Sequence, residues 1–255
     1  MTGDIDSFHS TTAAERVRAE VAVVEDELDA FERFKDRITR LQCVPGAGSE
    51  FALAEGGPAA QSTAPSVRKL ERAYRSTIMS VPHYESEYGD GFEESVRAEF
   101  DESVAQVLTG AVPYTPLAKS RLVSACENAR HNRFELVDDL ERELEALSTA
   151  VTRFDEWLTE IEGIRERITR WERCRASEEL ERIERLRDEC DSLSAERQRR
   201  IRRQPAALGK QSEPDAFLQY LYRDLSCSKP VLTDVSLIAR RIDTEHRRLQ
   251  KRLMW

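Results

Sequence analysis

The sequence predicts an all-α protein, an elongated helical bundle with a long coiled-coil hairpin. Apolar residues recur at alternating steps of three and four along most of the chain, which is the spacing of one helix face. Charged residues make up 34% of the 255 residues, against roughly a quarter in ordinary soluble domains. Aromatic residues reach only 7%, and no segment has the pattern of a strand. These proportions favour long amphipathic helices over a core built on a sheet.

The N-terminal region, residues 1–43, is predicted to be one amphipathic helix. Its apolar positions follow a three-four repeat that is missing only at Lys35. These positions are Val17, Val21, Val24, Leu28, Phe31 and Ile38. Residues 44–66 are rich in Gly, Ala, Pro and Ser and predict a flexible linker. The remaining residues, 67–255, are expected to form the helical bundle.

A second helix is predicted over about 66–81. Pro82 ends it, because the proline ring removes an amide hydrogen and clashes with the preceding turn. After Pro82, Asp90 and Glu93 have the spacing of a capping box and predict the start of a third helix. We expect that helix to continue to Leu108.

The longest predicted helix opens at Thr115-Pro116, which is a strong start signal. Eight apolar residues in succession then fall on the three-four repeat, which indicates helix-on-helix packing. They are Val137, Leu140, Leu144, Leu147, Val151, Phe154, Leu158 and Ile161. We expect residues 117–203 to form a hairpin that turns back at 174–177. A turn near Gly163 and a helix that continues without turning are the alternatives.

Two shorter helices follow the hairpin and complete the bundle. Ser212 and Pro214 introduce the first of them, and the segment CSKP ends it. Pro230 then occupies the first turn of the last helix. The apolar positions of that helix include Val231, Val235, Ile238 and Ile242.

Charge and cysteine content exclude several classes of protein. The net charge of −9 makes the molecule as a whole repel nucleic acid and anionic membranes. Five widely spaced cysteines without a C-x-x-C pair disfavour zinc fingers and disulfide frameworks. Neither a signal peptide nor a run of ~18 apolar residues is present, so we expect a cytoplasmic protein without a membrane span.

No catalytic residue, metal site or cofactor is predicted, and we expect that the protein is not an enzyme. None of the four histidines follows a Glu by three residues, as di-metal carboxylate bundles require; the nearest motif is Asp243-Thr-Glu-His246. Cys126 and His131 lie five residues apart, which places them on different faces of a helix.

The preferred hypothesis is a helical scaffold or regulatory interaction protein, because its apolar seams can bind a second copy or a partner helix. The alternative is a DNA-associated regulator that uses two basic runs, 197–203 and 240–252. Cations at helix C-termini are also stabilised by the helix dipole, and they can pair with nearby Glu. The basic runs therefore have an explanation within the chain, and we expect that nucleic-acid binding is unlikely.

Residues 76–92, STIMSVPHYESEYGDGF, form an aromatic corner in an otherwise charged chain. Met, Pro and Tyr commonly fill corners where helices cross, so packing explains most of this segment. An enzyme or metal site at 79–92 is a weaker alternative. The candidate interaction surface consists of Tyr74, Arg75, His83, Tyr84 and Tyr88.

The same region carries a family resemblance, through Tyr74-Arg75, Val81-Pro82-His83-Tyr84 and Glu87-Tyr88-Gly89. Further matching segments are Phe31-Glu-Arg-Phe34, Leu117-Ala-Lys119, Arg197-Gln198 and Tyr220-Leu-Tyr222. The chain resembles a haloarchaeal family catalogued as a domain of unknown function. Six of the 39 basic residues are Lys, which agrees with a salt-rich cytoplasm, although a GC-rich genome also favours Arg over Lys. The resemblance implies no catalytic residue, cofactor or partner, and this chain departs from it at Ser228-Lys229, where members often carry an aromatic pair.

Overall fold

The computed structural model describes residues 8–43, 64–170, 176–203 and 216–254 of the chain. Within these ranges the backbone is helical and forms no strand, so the all-α class is confirmed. The helices are α1 (His9–Arg40), α2 (Ala64–Arg75), α3 (Tyr84–Glu87), α4 (Phe92–Glu99), α5 (Glu102–Thr109), α6 (Pro116–Arg170), α7 (Ala176–Arg203), α8 (Ala216–Leu221) and α9 (Pro230–Met254). A 3-10 turn, Ile78–Ser80, lies between α2 and α3.

The chain divides into two compact units. The central unit comprises residues 21–138, and the terminal unit comprises residues 1–20 and 139–255. Helices α1 and α6 each supply residues to both units. The division predicted around a linker at 44–66 stays a prediction, because residues 44–63 lie outside the described part of the chain.

On α1 and α6 the buried stripe is broader than the predicted seam. Nine of the fourteen predicted positions are buried. The other five, together with Lys35 in the gap, are half-buried, and the residue just before each of them is buried instead. In α1 these preceding residues are Glu20, Glu27 and Phe34, and in α6 they are Glu143, Ala150 and Trp157. A core-facing helix buries a stripe about 100° wide, whereas a coiled-coil seam is narrower. Two glutamates on α1 and one on α6 are therefore buried although no apolar pattern marks them.

The core of the central unit is centred on Tyr74, which is fully buried. Its ring meets Phe34 at 5.4 Å and Phe92 at 5.6 Å between centroids, both edge to face. A third edge contact joins it to Phe100 at 6.3 Å. The hydroxyl group lies 2.9 Å from Oγ of Ser95, so the buried polar end is satisfied. Tyr74 therefore connects α2 to α1 and α4.

The C-terminal end of α1 is held by residues at the start of α6. The Tyr114 hydroxyl donates to the carbonyl oxygen of Ile38 at 2.8 Å, and Nζ of Lys119 donates to that of Leu41 at 3.0 Å. The last carbonyls of a helix have no partner within the helix, and here side chains from elsewhere supply one.

The structure corrects two boundaries near the corner. The helix predicted over 66–81 ends as α2 at Arg75, and the 3-10 turn takes up the following residues. The predicted cap at Asp90 with Glu93 is wrong by one position. Gly91 is the N-cap of α4, and its amide donates to the carboxylate of Glu94 at 3.2 Å.

The third predicted helix, 92–108, is two helices. Phe100 has an extended backbone between them, with φ −122° and ψ 159°. Asp101 then caps α5, because its carboxylate accepts from the amide of Val104 at 3.0 Å. The start predicted at Thr115 is confirmed, since its hydroxyl oxygen accepts from the amide of Ala118 at 3.2 Å.

In the terminal unit, α6 and α7 lie antiparallel. Nε1 of Trp157 donates to Glu189 at 2.7 Å, and Nε of Arg167 donates to Glu179 at 2.8 Å. Helix α6 continues through Gly163, so the alternative turn there is wrong. The turn predicted at 174–177 falls largely outside the described residues, which resume with α7 at Ala176.

The hairpin contains a buried ion pair. The carboxylate of Glu143 on α6 is 1% exposed and binds Nη1 of Arg197 on α7 at 2.9 Å, with a second bond from Nη2. The hydroxyl of Tyr222, which follows α8, donates to the same carboxylate at 2.5 Å. Two bonds from a planar guanidinium and one from a phenol compensate the loss of water around the charge.

Replacing Arg197 by Ala is expected to lower the free energy of unfolding by about 3–5 kcal/mol, because Glu143 would stay buried without its cation. Urea unfolding followed by circular dichroism measures this. The exposed Arg199 on the same helix is the control, and its change to Ala should stay within about 0.5 kcal/mol. Equal losses for the two variants would contradict a structural role for the pair.

Candidate functional site

The central unit contains a cavity of about 190 Å³ behind the aromatic corner. Tyr74, Tyr84 and Tyr88 line it together with the charged residues Glu27, Asp90, Glu99 and Arg133. Apolar contacts come from Ala30, Phe31, Ile78 and Val81. The corner predicted from 76–92 is therefore one wall of a cavity with aromatic, apolar and charged surfaces.

Local geometry places the corner residues on this wall. Pro82 precedes the single turn of α3, and the backbone amide of Gly89 donates to the carbonyl oxygen of Tyr84 at 3.0 Å. Gly89 has φ 61°, in the left-handed region that glycine adopts without strain. This turn ends α3 and brings Asp90 back to the cavity, where the Tyr84 hydroxyl donates to its carbonyl oxygen at 3.3 Å.

Glu27 is the residue at which the corner and α1 meet. The hydroxyl of Tyr88 donates to Oε1 at 2.7 Å, and Nε2 of His83 lies 3.2 Å from the same atom. Nε of Arg133 donates to Oε2 at 2.7 Å. Burial acts to raise the pKa of Glu27, but the Arg133 charge and these hydrogen bonds outweigh it and hold the pKa below the ordinary value of 4.5. The group therefore stays ionised.

Arg133 joins two carboxylates. Besides Glu27 it binds both oxygens of Glu99, with Nη1 to Oε1 at 2.8 Å and Nη2 to Oε2 at 2.9 Å. Its guanidinium carbon also lies 4.3 Å from the ring centroid of Phe31. Burial acts to lower the pKa of Arg133, whereas the two carboxylates raise it above its usual value. The cavity thus holds a permanent cation between two anions.

The structure brings four of the five predicted surface residues to this region. Tyr74 and Tyr84 are buried in its wall, His83 and Tyr88 contact Glu27, and only Tyr88 is largely exposed, at 50%. Arg75 lies elsewhere, over the ring of Phe92 at 5.0 Å and paired with Glu71 at 2.9 Å.

Sequence reasoning missed Glu27, Glu99 and Arg133. Glu27 directly precedes Leu28 in the predicted seam, and it looks like one of many solvated acids on a charged helix. A signal was available, because Glu20 and Glu27 lie seven residues apart beside the apolar stripe. Glu99 and Arg133, which complete the network around Glu27, are far from it in the sequence. Glu99 lies 72 positions after Glu27 (99 − 27), and Arg133 lies 106 positions after it (133 − 27).

The other sequence candidates lie apart from the cavity. Cys126 and Cys190 are buried, and burial raises the pKa of each thiol to about 12. Of the basic runs, Arg197 is the buried partner of Glu143, and Arg248 pairs with Glu245 at 2.6 Å. These two arginines therefore have partners within the chain.

Taken together, fold and site define an all-α protein in which buried ion pairs join long helices and surround a tyrosine-lined cavity. The chain belongs to the family described as domain of unknown function DUF7260, whose model matches residues 9–246. Searches of curated proteins and of solved structures found no match. The family description names no activity.

The described ranges contain neither a membrane-spanning helix nor a cluster of metal ligands. Among the helices within 8–43, 64–170, 176–203 and 216–254, none has the length and apolarity needed to cross a bilayer. Over the same residues, no three side chains of His, Cys, Asp or Glu are grouped so that they could hold a metal ion.

The pH dependence of stability should report the Glu27 network. Because the folded pKa lies below the unfolded value of 4.5, ionised Glu27 stabilises the fold above that value, and the contribution is lost as the pH falls through the folded pKa. Urea unfolding of the protein and of Glu27→Gln, from neutral pH to below 4.5, should show this loss only with Glu27 present. Glu25→Gln, at an exposed position of α1, should lose stability at low pH as the unaltered protein does. Identical pH profiles for the protein and Glu27→Gln would contradict the assignment.

Thiol alkylation should separate buried from accessible cysteines. Burial and the raised pKa keep Cys126 and Cys190 protonated and out of reach, whereas Cys43 is only half-buried. Mass spectrometry after alkylation of the native protein at mildly alkaline pH should find Cys43 modified before Cys126 and Cys190. Urea should make all three equally reactive, and fast native labelling of Cys126 would contradict this burial.

Proposed function

We propose that this protein is a non-enzymatic helical scaffold that assembles with a second copy of itself through the corner around Tyr88. The observation that carries the proposal is the state of Tyr88. Half of its side chain is exposed, yet its hydroxyl is fixed on the buried carboxylate of Glu27 at 2.7 Å. A tyrosine held in one position loses little conformational entropy on binding, and tyrosines are common among residues that dominate binding energy.

The apolar seam of α6 is a weaker candidate for the contact surface. Leu140, Leu147 and Phe154 are all buried within the single chain. A partner helix could reach them only if the terminal unit opened. The exposed corner is available without such a change, which favours it as the contact surface.

Charge complementarity supports a second copy as the partner. The exposed Glu85 and Glu87 precede Tyr88 on its own segment and make the corner acidic. Helix α9 has exposed basic residues at Arg240, Arg247 and Lys251, and a spacing of seven and four places them on one face. An acidic corner with an aromatic centre fits a basic helix face of this kind.

The charged side chains of the cavity support a role in binding more than in catalysis. Arg133 is engaged by Glu27 and Glu99 through three short bonds. Catalytic acids and bases need a pKa near the working pH, whereas this network moves the pKa of Glu27 downward and that of Arg133 upward. Both groups are therefore suited to hold a fixed charge.

Light scattering coupled to size exclusion tests this assembly. The protein should form a dimer or larger species, and Tyr88→Ala should shift it toward the monomer by about tenfold or more in the dissociation constant. Phe134→Ala is the matched control, because Phe134 is an exposed aromatic residue of the same unit, at 58%, and should leave assembly unchanged.

A charge exchange identifies the contact. Glu85→Arg and Arg247→Glu should each weaken assembly. Mixing the two variants should restore it, because opposite charges then meet again at positions 85 and 247. A monodisperse monomer at low and at molar salt, with no helical partner retained by the protein, would overturn the scaffold proposal. Retention of a partner by a monomeric protein would move the proposal from self-assembly to that partner.

A further inference from the structure

The cavity of the central unit has an excess of negative charge. Glu27 and Glu99 share the single guanidinium of Arg133, so two anions face one cation. Asp90 is a third acidic residue of the lining, and His83 adds a positive charge only when it is protonated. An uncompensated charge in a partly buried space is costly, and a bound cation would relieve it.

Aromatic rings also line the cavity. The rings of Tyr84 and Tyr88 lie 5.6 Å apart with 47° between their planes, and Tyr74 lines the same space. A cation is stabilised over an aromatic face within about 6 Å of the ring centroid. The protein already uses this contact here, because Arg133 lies 4.3 Å from the centroid of Phe31.

Volume and access fit a small organic molecule. A cavity of ~150 Å³ can hold a ligand the size of benzene, and this one has about 190 Å³. Tyr88 lines the cavity and is also 50% exposed, so this part of the cavity wall is in contact with solvent. The mixed lining, with four aromatic rings and apolar side chains beside the carboxylates, suits a cation that carries its own apolar groups.

We propose that this cavity binds a small organic monocation, an alkylammonium or quaternary ammonium compound of about seven non-hydrogen atoms. The carboxylates of Glu27 and Glu99 supply the field that selects a cation, and the rings of Tyr74, Tyr84 and Tyr88 contact its alkyl groups. Anions are repelled by the same carboxylates. A neutral molecule of equal shape gains only the apolar contacts.

Isothermal titration of the full chain with choline tests the proposal. Saturable binding is expected, in buffer whose chloride concentration matches that of the choline solution. The uncharged tert-butyl analogue of choline has the same shape without the charge, and we expect it to bind at least about tenfold more weakly. Equal affinity for the two compounds would overturn the selection of a cation.

Three variants locate the binding in this cavity. Glu99→Gln keeps the shape of the side chain and removes one negative charge, and Tyr84→Leu removes a ring face but keeps an apolar side chain. Each should weaken choline binding by about tenfold. Tyr84→Phe keeps the ring and loses only the hydroxyl, so it should bind choline as the unaltered protein does. Circular dichroism and thermal unfolding establish that each variant is folded.

The proposal fails if the folded protein shows no saturable binding of choline or of tetramethylammonium. It also fails if folded Glu99→Gln and Tyr84→Leu bind choline unchanged. These results can be separated from assembly, because Glu99 lies outside the corner at 76–92 and Tyr84 is buried within it. Light scattering of Glu99→Gln should give the oligomeric state of the unaltered protein.

Discussion

A buried carboxylate held by an arginine and a tyrosine hydroxyl is the interaction on which this structure depends. Among the residues that the structure describes it occurs three times, in Glu20 with Arg16 and Tyr220, in Glu27 with Arg133 and Tyr88, and in Glu143 with Arg197 and Tyr222. A charge inside a helix interface is tolerated only when several donors replace its water. Each set therefore fixes which residues of distant segments meet. A helix displaced along its axis would keep apolar contact but leave a charge unpaired.

This constraint explains why the corner at 76–92 serves packing and chemistry at once. Tyr74 and Tyr84 are buried and set the shape of the central unit, while His83 and Tyr88 reach Glu27 on α1. Four of the residues that carry the resemblance to the family, Tyr74, His83, Tyr84 and Tyr88, thus lie together beside Glu27 and the cavity. The inner side of this group is a charged, tyrosine-lined cavity, and its outer side is the exposed ring of Tyr88. A ligand that changed the position of Tyr88 would therefore act on both sides.

Helix positions were predictable to the extent that local signals are strong. Thr115 with Pro116 gave the start of α6 correctly, because a hydroxyl cap and a proline in the first turn act on neighbouring residues. The break at Phe100 was not predictable, because its ring is buried whether or not the helix continues. The cap of α4 was displaced by one residue, because Glu94 can accept from the amide of Gly91 just as Glu93 could from that of Asp90.

The sequence by itself determined the all-α class, the long helix of the hairpin and the aromatic corner, since helical periodicity and proline act over a few residues. Tertiary structure alone decided which glutamates are buried and which arginines pair with them. Glu27 and Glu143 resemble any solvated acid in the sequence, because their partners come from segments far along the chain. A pattern of apolar residues marks where a helix is covered. It contains no information on the donors that make a buried charge stable.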